Sequence, residues 1–140
     1  CSSDLRKPDP MTFSPTLLLA VAAGGAAGSV ARFVVMSAIG NWLGFAFPYG
    51  TLAVNVAGSF VMGALVELGA LAWSPSPELK ALLTVGVLGG FTTFSTFSLD
   101  AAVLMQRGEL AASATYMVVS VLFSVGGLFA GLFLIRGMVG

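Results

Sequence analysis

The chain has 140 residues with six basic and six acidic side chains, and hydrophobic residues fill 57% of it against 9% charged. A water-facing domain carries about 25% charge, so with a mean hydropathy of +0.99 this chain reads as a membrane protein. No histidine and a single cysteine, Cys1, exclude Cys/His zinc sites, a Ser-His-Asp triad and an internal disulfide framework, and zero net charge argues against a nucleic-acid partner.

The first ten residues, Cys1–Pro10, are polar and hold Asp4, Arg6, Lys7 and Asp9. They read as an N-terminal extension or upstream remnant ahead of Met11, leaving 11–140 as a single transmembrane domain. A cleaved signal peptide is the other reading. It is opposed because helix one begins without a basic n-region of its own and is long enough to span.

The remaining charges leave uncharged runs at Met11–Ala31, Phe33–Val66, Ala81–Leu99 and Leu110–Ile135. A helix needs about 20 apolar residues to cross a bilayer. The runs predict four helices, near 14–38, 50–72, 78–104 and 110–136. Gly40-Asn41-Trp42 and Phe47-Pro48-Tyr49-Gly50 read as a loop with interfacial aromatics. Trp73-Ser74-Pro75-Ser76-Pro77 closes the second helix, and Gln106-Arg107-Gly108-Glu109 separates the third from the fourth. Lys80 and Arg136 flank one side, Arg32 and Arg107 the other. This balance leaves open both a weakly biased orientation and insertion in both directions.

Glycines spaced four apart occur at Gly24/Gly28, Gly86/Gly90 and Gly127/Gly131, the pattern that lets helices approach closely in lipid. The third span contains Gly89-Gly90-Phe91-Thr92-Thr93-Phe94-Ser95-Thr96-Phe97-Ser98. Paired glycines followed by paired threonines make a poor continuous helix, so this helix is expected to break near its middle. Freed carbonyls at such a break can hold a cation, and a new helix start offers donors to an anion. A kink with hydroxyls bonded back to carbonyls is the alternative. Thr51, Asn55 and Ser59 form a stripe on helix two, and Tyr116, Ser120 and Ser124 one on helix four, with Ser113 a turn earlier. They read either as interhelical hydrogen bonding or as donors lining an anion path. Phe94 and Phe97 either pack or present positive ring edges to that path.

Three segments together resemble the Fluc/CrcB fluoride channel family. They are the glycine-rich Gly24–Phe33 ending at Arg32, the helix-two segment Gly50–Phe60, and the third-span run Gly89–Ser98. The resemblance implies an all-α integral membrane fold, an antiparallel, dual-topology homodimer of four-helix subunits in the bacterial inner membrane. It implies passive fluoride export through two pathways and a structural sodium ion at the dimer centre. On this chain the sodium would be held by the carbonyls of Gly89 and Thr92. Asn55 would donate to fluoride, Phe94 and Phe97 would form the aromatic part of the path, and Thr51, Tyr116, Ser120 and Ser124 would line it. Arg32 would sit near the vestibule. Two positions depart from the pattern: Asp100 stands where glutamate is expected, and Gly126 where some members continue the hydroxyl track.

Fluoride is small and strongly hydrated, so a selective pore replaces its water with close donors while staying narrow. The rival from another class is a proton-coupled small multidrug exporter, which needs a titratable carboxylate deep in a span. Helix one has none, and Glu67 and Asp100 fall toward span ends. A holin-like assembly would not need the hydroxyl-dense third span. No nucleophile-base pair or metal cluster points to an enzyme.

Overall fold

The computed structural model describes residues 14–140, so the polar stretch 1–10 lies outside the described residues. The regular elements are α1 (Pro15–Leu43), α2 (Tyr49–Leu71), α3 (Pro77–Ala81), a π-helical stretch (Leu82–Leu88), α4 (Gly89–Phe91), α5 (Phe94–Gln106) and α6 (Leu110–Val139). The elements from α3 to α5 form one crossing, Pro77–Gln106, so four segments are long and apolar enough to span a membrane. The chain is an all-α, multi-pass membrane protein.

Local chemistry sets the helix starts. Ser14 caps α1 by accepting from the Leu17 N–H at 3.1 Å, with Pro15 at the first helical position. Ser76 and Pro77 repeat the device ahead of α3, where the Ser76 hydroxyl accepts from the Leu79 N–H at 3.2 Å. Both arrangements satisfy an orphan N–H while proline supplies none. Glycine supplies one helix stop and one turn, Gly44 with φ 90° after α1 and Gly108 with φ 78° between α5 and α6, conformations that cost other residues a Cβ clash.

The expected loop at Gly40-Asn41-Trp42 is corrected. These residues are helical, α1 runs to Leu43, and the turn is confined to Gly44–Pro48. The Phe45 ring folds back onto Gly40, where a Cβ would collide with it, so the glycine receives a ring and does not break the helix. At about 1.5 Å per residue the 29 residues of α1 reach about 43 Å, past a hydrocarbon core of about 30 Å. The extra turn therefore carries Trp42 toward the headgroups. The ends of the third and fourth spans likewise extend beyond 104 and 136, to Gln106 and Val139.

Glycine seams hold the helices together. A Cβ on Gly24 or Gly28 would strike the Leu82 or Val87 carbonyl of the π-helical stretch, and one on Gly86 would strike the Gly24 backbone. On the other side of the bundle, Gly63 sits against the Leu128 carbonyl and Gly131 against the Phe60 carbonyl. Gly127 faces Val56 as Gly131 faces Phe60, so α2 and α6 run parallel. In lipid, where no hydrophobic drive joins helices, such backbone-to-backbone approach is the main source of packing energy. The buried apolar core is correspondingly thin. Val54, Leu88, Ala101, Leu104 and Tyr116 are its buried members among the described residues, while Phe33 is 73% and Met138 72% exposed. Outward-facing apolar side chains are what a bilayer-facing surface requires.

Near the end of the α2–α6 seam a buried carboxylate pairs with a half-exposed arginine. The Arg136 Nε donates to Glu67 Oε1 at 3.2 Å and its Nη2 to Oε2 at 3.5 Å, with the guanidinium carbon 5.4 Å from the Phe133 ring centre.

Candidate functional site: a donor-lined groove beside an interrupted helix

In the third span, α4 ends at Phe91, Thr92 and Thr93 are extended (ψ 154° and 119°), and α5 starts at Phe94. Asn55, from the second turn of α2, clamps this segment. Its Nδ2 donates to the Thr93 carbonyl at 3.0 Å, and its Oδ1 accepts from the Thr93 N–H at 2.7 Å. Polar backbone freed within a membrane must find a protein partner, and the Asn55 amide supplies both a donor and an acceptor. One N–H of the Nδ2 group is left over.

The clamp changes the bonding of the carbonyls around it. In a continuous helix the Thr93 N–H would bond to the Gly89 carbonyl, but it is committed to Asn55. The Thr96 N–H would bond to the Thr92 carbonyl, but it goes to the Thr93 hydroxyl at 3.2 Å, which caps α5. The Gly89 and Thr92 carbonyls thus both lose their i+4 donors.

Beside the clamp a groove of about 270 Å³ runs between α2, α5 and α6. Asn55 and Ser59 line it from α2, Phe94 and Phe97 from α5, and Ser120 and Ser124 from α6. No charged side chain lines it. The Phe94 and Phe97 rings lie 5.5 Å apart at 43°, and Phe97 is 5.2 Å from the Tyr116 ring. Phe94 is 78% exposed, so the groove is open along one side. The Ser120 Oγ is buried and has no hydrogen-bond partner among the described residues.

Five of the expected path residues, Asn55, Phe94, Phe97, Ser120 and Ser124, therefore meet in one groove. Thr51 and Tyr116 do not line it. They are buried one turn away, where the Thr51 hydroxyl donates to Asp100 Oδ2 at 2.7 Å and the Tyr116 hydroxyl donates to the same oxygen at 3.1 Å. Arg32 is on α1, a turn beyond Gly28, and does not line the groove. Two residues of the site, both noted in the sequence, were given no place among the expected path residues. Asp100 gathers both hydroxyls; its signal is its position three residues after Phe97, on the same face of α5. Ser59 follows Asn55 by one turn and shares its groove.

Chemically the groove offers an amide N–H, hydroxyls and aromatic edges, a donor set matched to an anion. Neither Glu67 nor Asp100 is free in it. Glu67 is paired with Arg136, and Asp100 accepts from Thr51 and Tyr116.

Known proteins are similar to this chain over most of its length. Residues 19–132 match the model of the family described as CrcB-like protein, Camphor Resistance (CrcB). A protein of Rhodospirillum centenum named fluoride-specific ion channel FluC is 61% identical over 120 residues, covering 86% of this chain and 95% of the relative. Proteins of the same name from Nitrobacter winogradskyi (53% identical; 86% of this chain, 96% of the relative) and a Chelativorans species (54%; 86% and 97%) are similar to it over the same length. With its four spans, its interrupted third segment and this match over most of its length, the chain belongs to the CrcB family.

Proposed function

We propose that the protein is a fluoride-selective channel that lets fluoride leave a bacterial cell through the inner membrane by electrodiffusion. The observation that carries this reading is the uncharged, donor-lined groove holding Asn55, Ser120 and Ser124 beside the Phe94 and Phe97 rings. Neutral donors replace the water of a small anion without trapping it as a fixed cation would. Ring edges extend the favourable potential where hydroxyls are absent. The names of the relatives support fluoride as the ion. No coupling partner is needed: a potential of about 100 mV, inside negative, favours anion exit by about 2.3 kcal/mol, roughly a 40-fold gradient.

The open side of the groove and the exposed Phe94 support a second copy of the chain as its cover. Balanced flanking arginines and lysine are compatible with an antiparallel, dual-topology homodimer. In such a pair the Gly89 and Thr92 carbonyls of both chains would face a shared centre. Carbonyls that have lost their helical donors fit a sodium ion there, and the ion would supply fixed positive charge between two anion paths. Arg32 would raise anion concentration at the vestibule.

The test is efflux from liposomes holding the purified protein, followed with fluoride and chloride electrodes. Rapid fluoride release with chloride retained is the expected result; no fluoride release from folded protein refutes the reading. A proton-coupled exporter is not favoured, because Glu67 and Asp100 are engaged and Glu78 lies in the first turn of its span.

A further inference from the structure

Many hydroxyls of the spans are committed within the chain, in two ways. Thr84, Thr92 and Ser98 bond back to the carbonyls of Lys80, Leu88 and Phe94, four residues earlier. This is the usual resting place of a hydroxyl on a membrane helix. Thr51 and Tyr116 donate to Asp100, Thr93 to Thr96, and Ser113 to the Ala101 carbonyl. Their protons are committed within the chain. Ser59 makes none of these bonds. Its carbonyl four residues back belongs to Asn55, and among the described residues its hydroxyl has no partner there or elsewhere.

Its position follows from its neighbours. At Gly58 a Cβ would run into the Thr92 side chain, so α2 is pressed onto the interrupted segment. The next residue, Ser59, is turned to the groove wall, about 6 Å along α2 from Asn55. Across the groove stand Ser120 and Ser124 of the parallel helix α6. The Ser120 Oγ is itself buried and unpartnered, which is costly unless something in the groove accepts its proton.

We infer that Ser59 is a further anion-contacting residue, which joins Ser120 and Ser124 in a second coordination position one helical turn beyond Asn55. The inference rests on the channel reading above and adds to it a specific station for the dehydrated anion. An ion passing from Asn55 to this position exchanges an amide donor for hydroxyls that, among the described residues, are not tied to a carboxylate or a carbonyl. Thr51 and Tyr116, whose hydroxyl protons face Asp100, take no part in that step.

The experiment compares the unmodified protein with Ser59→Ala and Ser59→Thr in the same liposome efflux assay, over a range of fluoride concentrations. Ser59→Ala is expected to slow fluoride efflux about ten- to a hundredfold, as loss of one donor to a charged ion implies. It should also raise the fluoride concentration for half-maximal flux, while its size-exclusion profile stays that of the unmodified protein. Ser59→Thr keeps the hydroxyl and is expected to stay within about threefold of the unmodified rate. Should Ser59→Ala not fold, Ser59→Gly carries the same comparison. Efflux from the alanine or glycine variant within about twofold of the unmodified protein, with unchanged half-saturation, overturns the inference alone. Absence of fluoride efflux from the unmodified protein refutes the channel reading, and the inference with it.

Discussion

Replacing Asn55 with aspartate substitutes an oxygen for the Nδ2 group and leaves the backbone of α2 as it is. The Thr93 N–H keeps its acceptor, now a carboxylate oxygen. The bond from Nδ2 to the Thr93 carbonyl, 3.0 Å long, becomes an oxygen-oxygen contact. An acceptor deprived of its partner in a buried place costs about 1–3 kcal/mol, so the variant should unfold at lower temperature in detergent. Flux suffers more. A carboxylate about 4 Å from a passing fluoride, at an effective dielectric near 20, repels it by about 4 kcal/mol, which is roughly a thousandfold in rate. Asn55→Ala separates the two effects, because it removes both clamp bonds and adds no charge. Liposome efflux of the three proteins, with folded fraction measured by size exclusion, gives the comparison. Asn55→Asp should fall at least tenfold below Asn55→Ala, a conservative part of the Coulomb estimate. Equal rates for the two variants would mean that no anion passes Asn55, and the path would have to be sought elsewhere.

Gly131→Val drives a branched side chain into the Phe60 carbonyl and should cost about 3 kcal/mol or more in detergent stability, whereas Gly126→Ala, which meets nothing within 4 Å, should be neutral in the same thermal scan. Arg136→Met leaves the buried Glu67 carboxylate without its partner and should lower stability by about 2 kcal/mol, while Glu67→Gln, which leaves a half-exposed arginine, should cost about 1 kcal/mol or less. Fluoride flux per folded protein should be unchanged in Glu67→Gln; a loss would put this pair in the transport path. Asp100→Asn keeps one carbonyl to accept from Thr51 and Tyr116 and should be mild, but Asp100→Leu strands both hydroxyls at about 1–3 kcal/mol each, read as a lowered unfolding temperature.

Much of the architecture was legible because its causes are local. Charges are costly in hydrocarbon, so Glu67, Lys80, Asp100 and Arg107 fall toward the span ends, although Arg32 lies well inside α1. Glycines spaced four apart marked the seams at Gly24/Gly28 and Gly127/Gly131 because close backbone approach requires them. What escaped was set at a distance. Gly40 looked like a helix breaker, yet the Phe45 ring from beyond the helix end fills its face. The π-helical stretch Leu82–Leu88 carries no sequence mark of its own; Gly86 and the Leu82 and Val87 carbonyls meet α1 there. The polar stripes were visible, but not how their protons are spent. Thr51 and Ser59 look alike on α2, and only the approach of Asp100, 49 residues away in the chain, separates them.

The Asn55–Thr93 clamp ties the two halves of the proposed mechanism to one pair of hydrogen bonds. By taking the Thr93 N–H, Asn55 leaves the Gly89 carbonyl without its helical donor. By donating to the Thr93 carbonyl, it uses one Nδ2 proton and keeps the other. The Thr93 hydroxyl then draws in the Thr96 N–H, which removes the helical donor of the Thr92 carbonyl as well. A cation site built on those carbonyls and an anion path built on the remaining amide proton would therefore stand or fall together. A variant such as Asn55→Ala should lose both fluoride flux and any stabilisation by sodium, measured as the difference in unfolding temperature between sodium and a bulky organic cation. Loss of flux with the sodium effect intact would show that the two sites are independent, and that the extended conformation of Thr92 and Thr93 is held by the rest of the bundle without Asn55.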